Sequence, residues 1–319
     1  MTYRDLPDDA PAPSRSQVEK LGKKIRSDGA TCDLKDRLVE FRDYRALLLA
    51  FAYSSVAHAI SGTGCFSLIS GRIKRIKAIE RKLMRPSANP PSLWNMGDIV
   101  GLRVLVEDVA EQDAIVRAVE RKLRVHKVSD LRWKRNGNYR SVHCYVKAHR
   151  QLFEIQVRTI PQHLWAEESE SFGEAVKEGG GLPEVRHYLR SLSCTIEEFE
   201  LVGKLTKREI DSELARTRAP ISVRLNSLNN LFQTSKQDRW LGSSDLYLLV
   251  FDRNQDQLTQ SLEFSIDEMP FALSEMQRIS NLVDEGRFDV VLLNSLSEQE
   301  LGITHSRFFP HVTGFLIES

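Results

Sequence analysis

The sequence predicts an α+β protein: a mixed β-sheet flanked by helices, followed by a smaller C-terminal α+β domain. Three observations lead there. Segments such as HCYVKA at 143–148 and FEIQVRT at 153–159 alternate apolar and polar residues with the period of strands. Longer segments between them carry apolar residues at helical spacing. After about residue 240 the pattern starts again with DLYLLVFD, and the local charge changes sign. A chain of 319 residues with 41% hydrophobic content can bury a sizeable core.

The elements follow in order. Residues 1–14, rich in Pro and Asp, read as a loose tail ahead of a first domain spanning 15–183. Leu34, Leu38, Phe41, Tyr44, Leu48 and Phe51 form one stripe, which predicts a core helix over 34–60. GRIKRIKAIERKLMRP predicts a second helix, with Ile73, Ile76, Ile79 and Leu83 inward and basic residues elsewhere, ended by Pro86, Pro90 and Pro91. DIVGLRVLVEDV reads as a turn entering a strand, and DAIVRAVERKL as the helix behind it. RWKRNGNYRSVH is a loop opening into HCYVKA, which pairs as a hairpin with FEIQVRT across AHRQ. IPQHLWAEESESFGEAVK starts a helix with Pro161 in its first turn, and Gly179, Gly180 and Gly181 stop it. A helical connector is expected over 184–240 and a separate acidic domain over 241–319.

Charge is distributed unevenly although the formal net charge is only +1. Residues 72–85 hold seven basic side chains against one acidic, and residues 121–150 hold ten against one. Residues 241–319 hold four basic and thirteen acidic residues. A polyanionic ligand is therefore expected for the first half; the acidic domain reads either as a solvated, separately folded unit or as a lid drawn over the basic groove. Cys32, Cys65, Cys144 and Cys194 show no metal-ligand spacing and read as reduced, buried thiols. The start lacks the order of a secretory signal and ALLLAFAY is too short to span a bilayer, so the expectation is a cytoplasmic protein with no membrane partner.

On FEIQVRT, Glu154, Gln156 and Arg158 share one face. Asp98 stands at the mouth of another strand, so two carboxylates can converge, with Lys134, Arg135, Tyr139 and Arg140 in the loop between. Oxygen ligands for Mg²⁺, cations for phosphate and an acid to take a hydroxyl proton are what a magnesium–phosphate reaction requires. Each motif alone has a plainer reading: a solvated helix face for Arg72, Lys74 and Lys82, a turn aromatic for Tyr139, a strand residue for His143, core for Trp165. Their order along the chain is more specific than any of them.

At these residues the chain resembles the RelA/SpoT-type (p)ppGpp synthetase family, in its standalone small alarmone synthetase form, including the toxic members. GRIKRIKAIERKL resembles the ATP-binding helix, GDIVGLRV the metal-aspartate motif, GNYRSVH the Gly-Tyr-Arg-Ser-x-His motif, and FEIQVRT with the later WAEE the Glu-bearing strand. The likeness covers roughly 35–180 and implies a nucleotidyltransferase-like fold. It implies ATP phosphates on Arg72, Lys74, Lys82, Lys134 and Arg135, support from Arg103, and Mg²⁺ on Asp98 and Glu154. Glu154 would activate the acceptor hydroxyl; Tyr139, Arg140, His143, Gln156 and Arg158 would hold the acceptor. Asn138 replaces the usual Gly before the tyrosine, and Ser169, Glu170 and Ala175 replace an acid–His pair and a later Lys. No His-Asp dipeptide of the related hydrolases occurs.

The resemblance implies an enzyme of the stringent-response type, moving pyrophosphate from ATP to a ribose 3′-hydroxyl. A purine nucleotide and a tRNA 3′ end compete as acceptor, the latter implying a toxin with a regulatory protein or antitoxin. A reading from another class, a non-catalytic nucleotide or RNA sensor, is opposed by the retained Asp98 and Glu154.

Overall fold

The computed structural model describes residues 13–133, 139–172, 181–203, 213–216, 220–237, 245–284 and 286–309. Its strands are β1 (Leu68–Ile73), β2 (Val100–Val106), β3 (Val125–Asp130), β4 (Val142–Ala148), β5 (Gln151–Thr159), β6 (Asp245–Asp252), β7 (Gln257–Phe264) and β8 (Phe288–Ser295). All eight join one sheet in the order β3-β4-β5-β2-β1-β8-β6-β7. The pairing of β2 with β5 is parallel and the rest are antiparallel, so the sheet is mixed as expected.

Helices cover both faces. They are α1 (Arg15–Asp28), α2 (Cys32–Ala46), α3 (Leu48–Ile60), α4 (Ile76–Met84), α5 (Val109–Lys122), α6 (Ile160–Ser171) and α7 (Pro183–Val202). Beyond them lie the single turn α8 (Glu213–Arg216), then α9 (Ile221–Gln237), α10 (Met269–Leu282) and α11 (Glu298–Thr304). On one face, Leu102, Val104, Ile155, Val157, Leu248 and Leu292 belong to a single apolar cluster with side chains of α3, α5 and α10. On the other, Leu68 and Leu105 pack with Trp165 of α6, Leu192 of α7 and Phe232 of α9. α1, α2 and α4 share a third cluster with Leu93 and Ile99 beside the entry to β2. A Cβ at Gly71 would lie 2.6 Å from Leu49 Cδ1, so glycine is what lets α3 press onto β1.

Four expectations change. Of the thiols expected to be buried, Cys144 is, while Cys32 and Cys194 are exposed. The boundary near residue 240 does not separate two cores, because Gly71 and Arg72 pair with Asn294 and Leu293 across it and the first cluster contains residues from both sides. GRIKRIKAIERKLMRP is a strand followed by a helix: β1 runs to Ile73 and α4 begins at Ile76. The helix expected over 34–60 is two, joined at Leu47. Cys32–Thr63 is long and apolar enough by length and composition to cross a membrane, yet Leu49, Ala52 and Val56 are fully buried in the core. The predicted hairpin forms, with His149 (φ 45) and Arg150 (φ 64) both left-handed at its tip, as a two-residue turn requires.

Candidate active site

Register decides which side chains meet. Tyr145 pairs with Glu154 and His143 with Gln156 across β4 and β5. Glu154 pairs with Gly101 and Gln156 with Arg103 across β5 and β2; Gly101 in turn faces Arg72 on β1. One polar row therefore crosses the middle of the sheet. It is not solvated: Arg103, Glu154 and Arg158 are all buried beneath the helices of that face.

Within the row, hydrogen bonds run without a break. Tyr139 Oη is 2.9 Å from His143 Nε2, and His143 Nδ1 is 2.9 Å from Glu154 Oε1. Gln156 Nε2 donates to Glu154 Oε2 (2.8 Å), while Arg158 Nη2 donates to Gln156 Oε1 (2.7 Å) and to Tyr139 Oη (2.8 Å). Burial alone would raise Glu154, but the bond and charge of His143 hold it down at about 2. Burial would likewise lower His143, yet Tyr139 and Glu154 bring it up to about 9. Against its own burial, Tyr139 falls to about 8 beside Arg158 and His143. Its ring stands edge-on to Trp165, at 5.8 Å. Arg158 Nε and Nη1 are buried without a hydrogen-bond partner.

Asp98 sits on a 3-10 turn, Gly97–Ile99, at the entry to β2. Its Oδ2 accepts from Lys74 Nζ (2.7 Å) and Lys82 Nζ (2.6 Å). Despite burial, which would raise it, these two ammoniums hold its carboxyl far below the usual range. Its Oδ1 is buried and has no partner. Among the described residues no group of at least three His, Cys, Asp or Glu forms a metal cage. Mg²⁺ commonly takes only one or two carboxylates and fills its shell with phosphate oxygens and water. The open Oδ1 of Asp98, with Glu154 near enough for the two charges to interact, fits that kind of site.

Beside Asp98 lies a cavity of ≈ 290 Å³ lined by Arg72, Lys74, Arg81 and Lys82 among others. Arg72 makes no ion pair among the described residues, so its charge is available to an anion in that cavity. Arg103 is buried, with Nη1 donating to Glu167 Oε1 (3.0 Å) and to Thr304 O. It supports the cavity wall rather than entering it. Arg140 turns away from the row: Nη1 donates to Glu197 Oε2 on α7 (2.9 Å) and the guanidinium lies 5.0 Å from the Trp133 ring centroid. Lys134 and Arg135 lie outside the described residues.

Residues 71–172 match a family model described as a region found in RelA / SpoT proteins. The match covers 102 of the 319 residues. Among solved structures, a GTP pyrophosphokinase family protein from Streptococcus pneumoniae is 22% identical, with TM-score 0.42, over 54% of this chain and 91% of that one. Small alarmone synthetase 2 from Bacillus subtilis is 21% identical (TM-score 0.40; 50% and 92% covered). Small alarmone synthetase 1 from the same organism is 22% identical (TM-score 0.41; 52% and 92% covered). No curated protein matches.

The polar row and Asp98 all fall within the matched residues 71–172, but two of their supports lie outside them. Arg45 on α2 is completely buried and donates to Trp94 O (3.3 Å), Met96 O (3.3 Å) and Leu152 O. One guanidinium thus ties the turn carrying Asp98 to the strand carrying Glu154. A Cβ at Gly97 would meet Tyr145 Cδ1 at 3.0 Å, so the turn is also pressed against β4. The second support is the segment 303–306: His163 Nε2 donates to Ile303 O (2.8 Å) and Ser306 Oγ to Glu167 Oε2 (3.0 Å). Neither was read from sequence. Arg45 had a signal, a charge inside the apolar stripe one turn from Phe41 and Leu49, which has to find partners when buried.

Proposed function

We propose that the chain is a pyrophosphotransferase that moves the β,γ-pyrophosphate of ATP to the ribose 3′-hydroxyl of a purine nucleotide, GDP or GTP, giving a (p)ppGpp-type alarmone. The observation that carries this reading is the buried His143–Glu154–Gln156 chain set beside Asp98, whose Oδ1 has no partner and whose Oδ2 is shared by two lysines. A pure binding module has no need of a proton acceptor beside a charged carboxylate and a cation-lined cavity.

In the reaction the acceptor 3′-oxygen attacks the β-phosphorus. The bond from that phosphorus to the bridging oxygen of AMP breaks, AMP leaves with the electron pair, and the hydroxyl proton passes to the enzyme. Mg²⁺ bound at Asp98 and Glu154 would neutralise phosphate charge. Lys74, Lys82 and Arg72 hold the donor phosphates from the cavity side. A carboxylate held at about 2 by an imidazolium is a weak base, so Glu154 accepts the proton best when His143 is neutral.

Incubation with γ-³²P-ATP and Mg²⁺, with GDP, GTP, ATP or bulk tRNA as acceptor, tests the reading. Label on GDP or GTP is expected in the native chain, with Glu154→Gln losing about a hundred- to ten-thousand-fold in rate while still binding ATP. Label on tRNA alone would replace the acceptor. Label on nothing, with ATP bound, would make the chain a sensor.

A further inference from the structure

The bonds from His143 and Gln156 hold the Glu154 carboxylate from one side. His143 stands opposite Gln156, two residues along β5, so both partners lie toward the Arg158 end of the polar row. The turn carrying Asp98 lies at the other end, because Gly101 is level with Glu154 and Gly97–Ile99 come before it on a parallel strand. Unopposed, these two bonds would draw the carboxylate away from Asp98. A glutamate has three side-chain torsions, so its place on a strand does not fix where its oxygens point. Tyr145 faces that gap. It is the residue directly opposite Glu154 on β4 and is half-buried. Its hydroxyl is hydrogen-bonded to the Glu154 carboxylate and is close enough to Asp98 to feel that charge as well. Its ring rests on the turn: a Cβ at Gly97 would lie 3.0 Å from Cδ1 and 3.6 Å from Cε1. One side chain thus touches both acid-bearing elements, although it belongs to neither GNYRSVH nor FEIQVRT.

We propose that Tyr145 is a positioning residue of the transfer site: with its ring seated on the Asp98 turn, its hydroxyl keeps the Glu154 carboxylate turned toward Asp98. This rests on reading the two carboxylates as the pair that serves Mg²⁺ and the acceptor hydroxyl. A phenol is neutral at ordinary pH and donates, so it steers the carboxylate without cancelling the charge a cation needs. An ammonium in its place would cancel it. The ring is a rigid plate with only two torsions, so it sets the spacing of turn and strand at little cost in conformational freedom. Arg45 ties the same two elements through their backbone carbonyls, whereas Tyr145 acts on the carboxylate itself.

The test is a double-mutant cycle on the full chain, read by calorimetric titration of Mn²⁺, standing in for Mg²⁺, in the presence of a non-hydrolysable ATP analogue. Tyr145→Phe keeps the ring and removes only the hydroxyl. It should weaken Mn²⁺ at least about threefold and lower kcat at least about fivefold, with the Michaelis constant for ATP unchanged within about twofold. In a Glu154→Ala background the same substitution should change Mn²⁺ affinity by less than about 1.5-fold, because the carboxylate it orients is gone. Equal losses in both backgrounds would make Tyr145 a support of the sheet at large and overturn the proposal. Unchanged Mn²⁺ affinity in Tyr145→Phe overturns it whatever happens to the rate, as does a native chain that takes up no Mn²⁺ with the analogue. A chain that transfers pyrophosphate while the cycle shows no coupling loses the positioning role alone; one that shows the coupling but transfers nothing loses the pyrophosphotransferase alone.

Discussion

His143 stands between a phenol and a carboxylate, and both of its ring nitrogens are engaged. Its folded value of about 9 exceeds the ordinary 6.5, so its contribution to stability is complete below pH 6.5 and is lost as pH rises through 9. Tyr139 works in the opposite sense, from 10 down to about 8, and adds stability as pH rises above 8. The net loss should therefore fall between about pH 6.5 and 8, on the order of 1–2 kcal/mol, and be absent in His143→Gln. Urea unfolding at stepped pH checks this. Tyr139→Phe, harmless if the tyrosine only stacked on a base, should instead lower the His143 titration midpoint by NMR, because it removes the hydroxyl bonded to both His143 and Arg158. At Asp98 the prediction has two signs. Asp98→Asn releases Lys74 and Lys82, so without divalent cations tripolyphosphate should bind at least about threefold tighter, while Mg²⁺-dependent transfer collapses. Weaker binding in calorimetry would mean that the lysines are not held back by Asp98.

The segment 93–99 has only the short 3-10 turn Gly97–Ile99 as regular structure, and Arg45 supplies donors for its Trp94 and Met96 carbonyls. Arg45→Met leaves those carbonyls buried and unpaired; it should cost about 2–4 kcal/mol and speed amide exchange at 95–99 more than in α5. Uniform exchange across the molecule would assign Arg45 to the core at large. Legibility also varied by element, for physical reasons. β4, β5 and their hairpin could be read because one face of each is core, which enforces alternation. Both outermost strands, β3 and β7, escaped: their residues are mostly half-buried or exposed, so no apolar period marks them. β1 was hidden in a helical pattern because Ile73 continues the spacing of Ile76, Ile79 and Leu83, and a short apolar run cannot be assigned by period alone. The row Glu154, Gln156 and Arg158 was visible in the sequence, but its dependence on segments far away in the chain was not.

At the scale of the molecule, opposite charge between the two halves reads as a lid, yet the halves are stitched through the middle of one sheet. Part of the acidic excess is spent at that seam: Asp289 on β8 pairs with Arg75 and, at 2.7 Å, with Arg253. Truncation after residue 240 should therefore not release a more active enzyme. It strips β6, β7 and β8, bares the β1 edge and opens the largest apolar cluster, so the product should aggregate or lose its cooperative melting transition in circular dichroism. A soluble, cooperatively melting fragment with raised activity would restore the lid. The pairing of Arg72 with Leu293 also sets a timetable. On a ribosome adding roughly 5–20 residues each second, β1 must wait on the order of 10–40 s for its second neighbour to be made. Long-range closure of this kind is slow even in a finished chain. A nascent polypeptide already holding residues 71–172 would thus still lack one wall of the cavity beside Asp98, which is complete only after synthesis has passed residue 308.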